Sequence, residues 1–224
     1  MPRPDIASAP SPSAPIIDAV VFDLGGVLID WNPRYLYRSV FGDDVAGMEW
    51  FLAEVCSPAW NAAQDAGRGW DEAVEEAIAR HPDQAERIRA YRDRWTETLG
   101  EALAPSVRLL DELRAGDCRL YALTNWSRET FPHARERYGF LAWFDGIVVS
   151  GEEHLAKPDP AIFRLLMERH GLRPERTVFI DDSAGNVEAA ARLGMHAIHF
   201  RDATQLRGEL ARLGVAPPAT EPAR

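Results

Sequence analysis

Thiols are scarce in this sequence, which holds two cysteines, Cys56 and Cys118, far apart and in no metal-ligand spacing. A disulfide-stapled scaffold is thereby set aside, and the pair reads as two reduced thiols of a cytoplasmic protein. Long apolar runs are missing too, so no segment has the length needed to span a bilayer. Positive charge is in deficit, with a formal net charge of −10. Non-specific binding to nucleic acid needs clustered positive charge, so nucleic acid and anionic membrane surfaces are not expected partners. An acidic protein that binds phosphate must supply positive charge locally, through a metal ion or a placed lysine. The opening stretch MPRPDIASAPSPSAP lacks the continuous apolar core of a signal peptide, and a disordered leader is expected over residues 1–15. A disordered tail is expected over 216–224, around Pro217-Pro218.

What is present alternates. Ile16-Ile17-Asp18-Ala19-Val20-Val21-Phe22 is a nearly continuous β-branched run ending at Asp23, of the kind found in strands buried on both faces. Residues 119–123, 146–149 and 177–180 read the same way, and 196–200 more weakly. Helical patterns lie between them over 106–115, 127–138, 160–169 and 184–193. This order predicts an α/β fold built on a doubly wound parallel sheet. Residues 32–101 break the rhythm: 33–40, 45–55, 71–80 and 83–99 all look helical, and Asn32-Pro33 offers a helix start. Trp50, Trp60, Trp70 and Trp95 also fall here, mostly as core of a small bundle. The expected organisation is a core of residues 16–31 and 102–215 with an all-helical insertion over 32–101.

Ligands of open α/β sheets bind beyond the carboxyl ends of the strands. Asp23 stands at the first such end, followed by Leu24-Gly25-Gly26-Val27-Leu28; Thr124-Asn125 stands at the second; Asp181-Asp182-Ser183 follows 177–180. Lys157-Pro158-Asp159-Pro160 comes after the third strand. One acid at a strand end is usually a solvated loop residue, but three carboxylates, a hydroxyl and an ammonium on one rim suit phosphoryl transfer. Carboxylates bind Mg²⁺, and one of them can attack phosphorus. Thr and Lys stabilise charge on the transferring oxygens.

These four segments resemble, in order, the four motifs of the haloacid dehalogenase-like superfamily. They are Val20-Val21-Phe22-Asp23-Leu24-Gly25-Gly26-Val27-Leu28, then Leu123-Thr124-Asn125, then Lys157 in Ala156-Lys157-Pro158-Asp159, then Phe179-Ile180-Asp181-Asp182-Ser183. The resemblance implies a Rossmann-like core and makes 32–101 a small helical cap. It implies Asp23 as nucleophile and Mg²⁺ ligand, the Gly25 carbonyl and Asp182 as further ligands, and Asp181 as a supporting one. It implies Thr124 and Lys157 as catalytic and phosphate-binding residues. Asn125 and Asn186 are candidate substrate or supporting contacts, an Asx turn or surface amide being the alternative.

Phosphatases of this family usually carry an acid two places after the nucleophile, and here that place is Gly25. General acid help is typically worth ~10²–10⁴-fold, so the leaving group must be good or the proton must come from elsewhere, Asp30 and a carboxylate or His of the cap being conceivable. A Gly-Gly version of the motif resembles the sugar-1-phosphate phosphatase branch. The expected activity is hydrolysis of a small phosphorylated metabolite, such as a sugar phosphate, through an aspartyl-phosphate, by a monomer or homodimer. A metal-independent 2-haloacid dehalogenase is the rival enzyme, but adjacent Asp181 and Asp182 beside Asp23 would raise one another's pKa values with no cation to relieve them. A non-catalytic binding protein is the rival from another class. Trp31 and Trp126 could wall a pocket or pack at a seam, and Arg34, Arg68 or Arg128 could meet a second anionic group.

Overall fold

The structure, a computed structural model, describes residues 16–215. The expected leader and tail lie outside the described residues. Five strands form the main sheet: β1 (Ala19–Phe22), β4 (Arg119–Thr124), β5 (Gly146–Val149), β6 (Thr177–Asp181) and β7 (His196–His199). All pair in parallel in the order β5-β4-β1-β6-β7. The parallel α/β core expected from the sequence is therefore the one observed. β1 is central and buried at every residue. Its side chains alternate between faces, as strand geometry requires. Ala19 and Val21 join Phe179, Phe163 and Leu166 in one apolar layer, beneath α9 (Pro160–His170) and α10 (Ala184–Arg192). Val20 and Phe22 face the other way, toward α6 (Ala104–Arg114) and α11 (Ala203–Arg212).

This second layer continues without a break into the segment between β2 (Ile29–Trp31) and β3 (Leu99–Ala102). That segment holds α1 (Arg34–Phe41), α2 (Val45–Trp50) running into a π-helical turn (Phe51–Val55), α3 (Pro58–Asp65), α4 (Trp70–Arg80) and α5 (Ala85–Asp93). Trp70, Ala73, Val74 and Ala77 form the buried stripe of α4 at helical spacing. Trp60, Trp70 and Tyr91 pack with ring centroids 5.5–5.6 Å apart, and Tyr37 joins Tyr91 at 5.6 Å. The indole Nε1 of Trp70 donates to Ser127 Oγ at 3.0 Å, tying these helices to the loop after β4.

Two local expectations change. The helix expected over 83–99 ends at Asp93, and after a 3₁₀ turn (Trp95–Thr98) Leu99–Ala102 is a strand that pairs antiparallel with β2, Trp31 opposite Leu99 and Ile29 opposite Ala102. The helix expected from Ser127 begins at Phe131, as α7 (Phe131–Arg137). Ser127 is held by Trp70, and Ser127–Thr130 forms a turn closed by its own carbonyl. The short helix α8 (Ser150–Glu153) follows β5. No helix among the described residues is long and apolar enough to cross a membrane.

Candidate active site

Parallel register gathers the strand ends. Phe22 is aligned with Ala122 on β4 and Ile180 on β6, so Asp23, Leu123-Thr124 and Asp181 emerge along one rim. The Asp23 N–H donates to the Ile180 carbonyl at 2.8 Å, fixing the turn as the chain leaves the sheet. Lys157, the sole lysine of the sequence, reaches this rim from the loop between α8 and α9. Asn125 positions that loop: its Nδ2 donates to the Lys157 carbonyl and its Oδ1 accepts from the Lys157 N–H, both at 2.9 Å.

The Lys157 ammonium is fully buried, and its three donors meet three acceptors. These are the Leu123 carbonyl at 2.7 Å, Asp181 Oδ2 at 2.7 Å and Asp23 Oδ1 at 3.0 Å. Burial alone would lower its pKa, but Asp23 and Asp181 outweigh that and hold it above the ordinary lysine value. Asp23 moves up from the ordinary carboxylate range, chiefly by burial and then by Asp181, against the pull of Lys157. Its Oδ1 takes the Leu24 N–H at 2.7 Å as well as Lys157. Two donors thus hold one oxygen and leave Oδ2 to other work.

Asp181 is fully buried, and both its oxygens are engaged. Oδ1 accepts from the Ser183 N–H at 2.8 Å and from Asn186 Nδ2 at 3.0 Å; Oδ2 takes Asn186 Nδ2 at 3.1 Å besides Lys157. Asp182 is exposed and carries no such partners. Its carboxylate lies where a side chain at position 26 would be: a Cβ on Gly26 would stand 2.3 Å from Asp182 Oδ2, and Gly26 has φ +72°. Glycine is needed there for the backbone conformation and for the close approach alike. Partial burial of its carboxylate against the Gly26 turn, and then Asp181, raise the pKa of Asp182. Oxygens of Asp23, Asp181 and Asp182 fall within 4.8 Å of one another. Three carboxylates against one ammonium leave an excess of negative charge, and the donors are all hard oxygens. Such a set fits Mg²⁺ or a similar hard divalent cation and does not fit a thiophilic one.

Beside the rim lies a cavity of about 410 Å³, open mouth included, lined by Gly25, Trp31, Asn61, Asp65, Trp95, Asn125 and Trp126. Asn61 and Asp65 stand four apart on α3, hence on one face. Asn61 Nδ2 donates to Asp65 Oδ2 at 2.9 Å. α3 itself is started by Ser57, whose Oγ accepts from the Trp60 N–H, with Pro58 next. Its end is fastened by Ser150, whose hydroxyl donates to the Asp65 carbonyl and accepts from the Trp126 N–H at 2.9 Å. Burial raises the pKa of Asp65 to about 7, with the nearby Ser127 N–H opposing and Asp23 reinforcing. Asn61 Oδ1 and Trp126 Nε1 are buried without a hydrogen-bond partner among the described residues.

The residues expected from the sequence are distributed as follows. Asp23, Lys157, Asp181 and Asp182 are brought together, with Gly25 beside the cavity and Thr124 buried at the end of β4. Asn125 spends its amide on the Lys157 backbone while lining the cavity, and Asn186 supports Asp181. Trp31 and Trp126 both wall the cavity. Asp30 is bound by the Tyr35 hydroxyl at 2.5 Å and is not part of the lining. Arg34 pairs with Glu49 and Arg68 with Glu76; neither they nor Arg128 line the cavity. Asn61 and Asp65 were not singled out in the sequence, although their four-residue spacing is a signal that could have paired them; Trp95 was expected only among the core of the helical bundle and lines the cavity as well.

A model of the haloacid dehalogenase-like hydrolases matches residues 17–194, and the chain belongs to that family. It is a hydrolase. Over 198 residues it is 28% identical to a sesquiterpene phosphatase of Aspergillus oryzae, a match spanning 87% of this chain and 95% of that protein. It is 25% identical over 206 residues to a phosphorylated carbohydrates phosphatase of Thermotoga maritima, spanning 82% and 84%. Among solved structures, a HAD-like family hydrolase from Porphyromonas gingivalis aligns with a TM-score of 0.68 at 27% identity, covering 88% of this chain and 98% of that one.

Proposed function

We propose that the protein is a Mg²⁺-dependent phosphatase that uses Asp23 as nucleophile on a small phosphorylated metabolite. The observation that carries this reading is the Asp23 carboxylate, held by one oxygen on Lys157 and Leu24 within a cluster of three acids. The free Oδ2 attacks phosphorus, the ester oxygen leaves, and water then attacks the aspartyl-phosphate, releasing phosphate and restoring the carboxylate. Lys157 opposes protonation of Asp23 and holds it in place; Thr124 and the Leu24 turn would border the transferring group. Asp23, the Gly25 carbonyl and Asp182 would hold Mg²⁺, with Asp181 in support, and the ion would neutralise charge on the phosphoryl oxygens.

The cavity supports one class of alcohol. Three indoles with Asn61 and Asp65 between them offer apolar faces and hydrogen-bonding edges together, which suits a sugar ring. A second reading has its own support: an adjoining recess shares Trp31 and Asn61 and is otherwise lined by Pro33, Leu52, Cys56, Pro58 and Tyr91, with Arg34 and Ser57 as its further polar members. That recess suits an apolar alcohol such as an isoprenoid. The test is phosphate release from p-nitrophenyl phosphate, a set of sugar phosphates and farnesyl phosphate, with Mg²⁺ and with EDTA, beside Asp23→Asn. Release that needs Mg²⁺ and vanishes in Asp23→Asn is expected. Chloride release from 2-chloropropionate that survives EDTA would replace this reading with a dehalogenase.

A further inference from the structure

The family's usual acid is missing at Gly25, yet nothing local excludes it. A Cβ built at Gly25 meets no atom within 4 Å, and its φ is outside the left-handed region that glycine alone favours. Gly25 lines the cavity, so a side chain added there has open space beside it. Glycine at this site is therefore not demanded by space or backbone. The same cavity holds one titratable side chain, Asp65, on α3. Other candidates are placed elsewhere: Asp30 is bound by Tyr35, His133 stacks behind Trp95, and His154 packs over Gly67.

We propose that Asp65, carried by the helical segment, is the catalytic residue that protonates the leaving-group oxygen in place of an acid at position 25. This rests on the phosphatase reading. Asn61 binds Asp65 Oδ2, and Ser150 fixes the residue's carbonyl, so the carboxyl group is presented to the cavity in a defined orientation. Asp23 just after β1, the Ser127 N–H and Tyr91 on α5 are the groups that act on it or feel it. Burial favours its protonated form, the one a general acid needs, against the Ser127 N–H. In the first half-reaction an Asp23 oxygen bonds to phosphorus, the P–O bond to the alcohol breaks, and the alcohol oxygen takes the Asp65 proton. In the second, water adds to phosphorus and gives a proton to the Asp65 carboxylate, while the bond to Asp23 breaks. Both acids return to their starting states and inorganic phosphate leaves.

An acid of this kind matters in proportion to how poor the leaving group is. The experiment compares kcat/KM for p-nitrophenyl phosphate, whose phenolate departs unaided, with an alkyl or sugar phosphate, in wild type and in Asp65→Asn. Asp65→Asn should lose roughly 10²–10³-fold on the alkyl ester, and at least tenfold less than that on p-nitrophenyl phosphate. Adding Gly25→Asp to Asp65→Asn should recover part of the alkyl activity, since position 25 has room. If Asp65→Asn fails to fold, Asp65→Ser is compared in the same way. Losses equal on both substrates, or no loss, overturn the proposal. A wild-type protein that releases phosphate from neither substrate sinks the underlying phosphatase reading instead.

Discussion

Lys157→Met removes one buried ammonium and strands two buried carboxylates. Methionine keeps most of the side-chain volume, so the effect is electrostatic rather than a cavity. Asp181 and Lys157 are fully buried at the side chain and Asp23 nearly so, and the ammonium also serves the Leu123 carbonyl. Removing one partner of a buried pair costs about 3–5 kcal/mol, which for a protein of this size lowers Tm by roughly 6–20 °C. The pH dependence separates charge from packing. The Lys157 pKa is raised, so in the wild type its stabilising effect is complete below the unfolded lysine value and falls only as pH passes the higher folded one. Between pH 5 and 8 the ammonium keeps its full charge. In the variant, Asp23 loses the cation that opposed its burial, and its folded pKa rises further. A raised carboxyl is least costly below its unfolded pKa, and stability falls as pH climbs toward the folded one. The deficit should therefore be smallest near pH 5 and grow toward pH 8. Thermal melts of both proteins in EDTA at pH 5, 6.5 and 8 test this. A drop below about 2 °C, or one that is the same at all three values, refutes the reasoning.

Two further outcomes are expected. Gly26→Ala forces a Cβ onto Asp182 Oδ2 at a backbone conformation that alanine adopts at a cost of about 1–2 kcal/mol. It should lower Tm by several degrees and raise the Mg²⁺ concentration for half-maximal activity, and an unchanged metal titration would place the Asp182 carboxylate elsewhere. Asp182→Ala should raise that concentration at least tenfold. In EDTA at pH 8 it should melt no lower than the wild type, because burial and Asp181 raise the Asp182 pKa and make its charged form unfavourable. A clear fall in Tm there would show Asp182 to be a structural residue.

The parallel core was legible because each of its strands is covered on both sides. Val20, Val21 and Phe22 serve two apolar layers at once, and a run without polar interruption is the only sequence that can do so. Strands that all point one way must end on one side, so Asp23, Thr124 and Asp181 could be placed on a common rim before any distance was known. β2 and β3 escaped notice for the opposite reason. Ile29-Asp30-Trp31 is too short to show a period, and Leu99 follows a tight 3₁₀ turn whose local pattern is helical. The true start of α7 was hidden as well, since Ser127 is held away from helix by Trp70, 57 residues earlier.

Asp65 marks the deeper limit. Its spacing from Asn61 is local, but its orientation is not: Trp60 and Gln64 bury the adjacent stripe of α3, and Ser150 holds the final carbonyl from 85 residues away. No window of sequence contains those partners together. The same contacts carry a mechanistic consequence. The Lys157–Asp23–Asp181 group belongs wholly to the strand ends and their loops, whereas Asp65 reaches the cavity only while α3 is seated. Ser150 joins α3 to Trp126, and Trp70 joins the neighbouring helix to Ser127, so both anchors fall on the loop directly after Thr124. If Asp65 donates the proton, attack on phosphorus and departure of the alcohol depend on different parts of the chain. A helical segment held less firmly to that loop would slow hydrolysis of poor leaving groups first and leave the nucleophile intact.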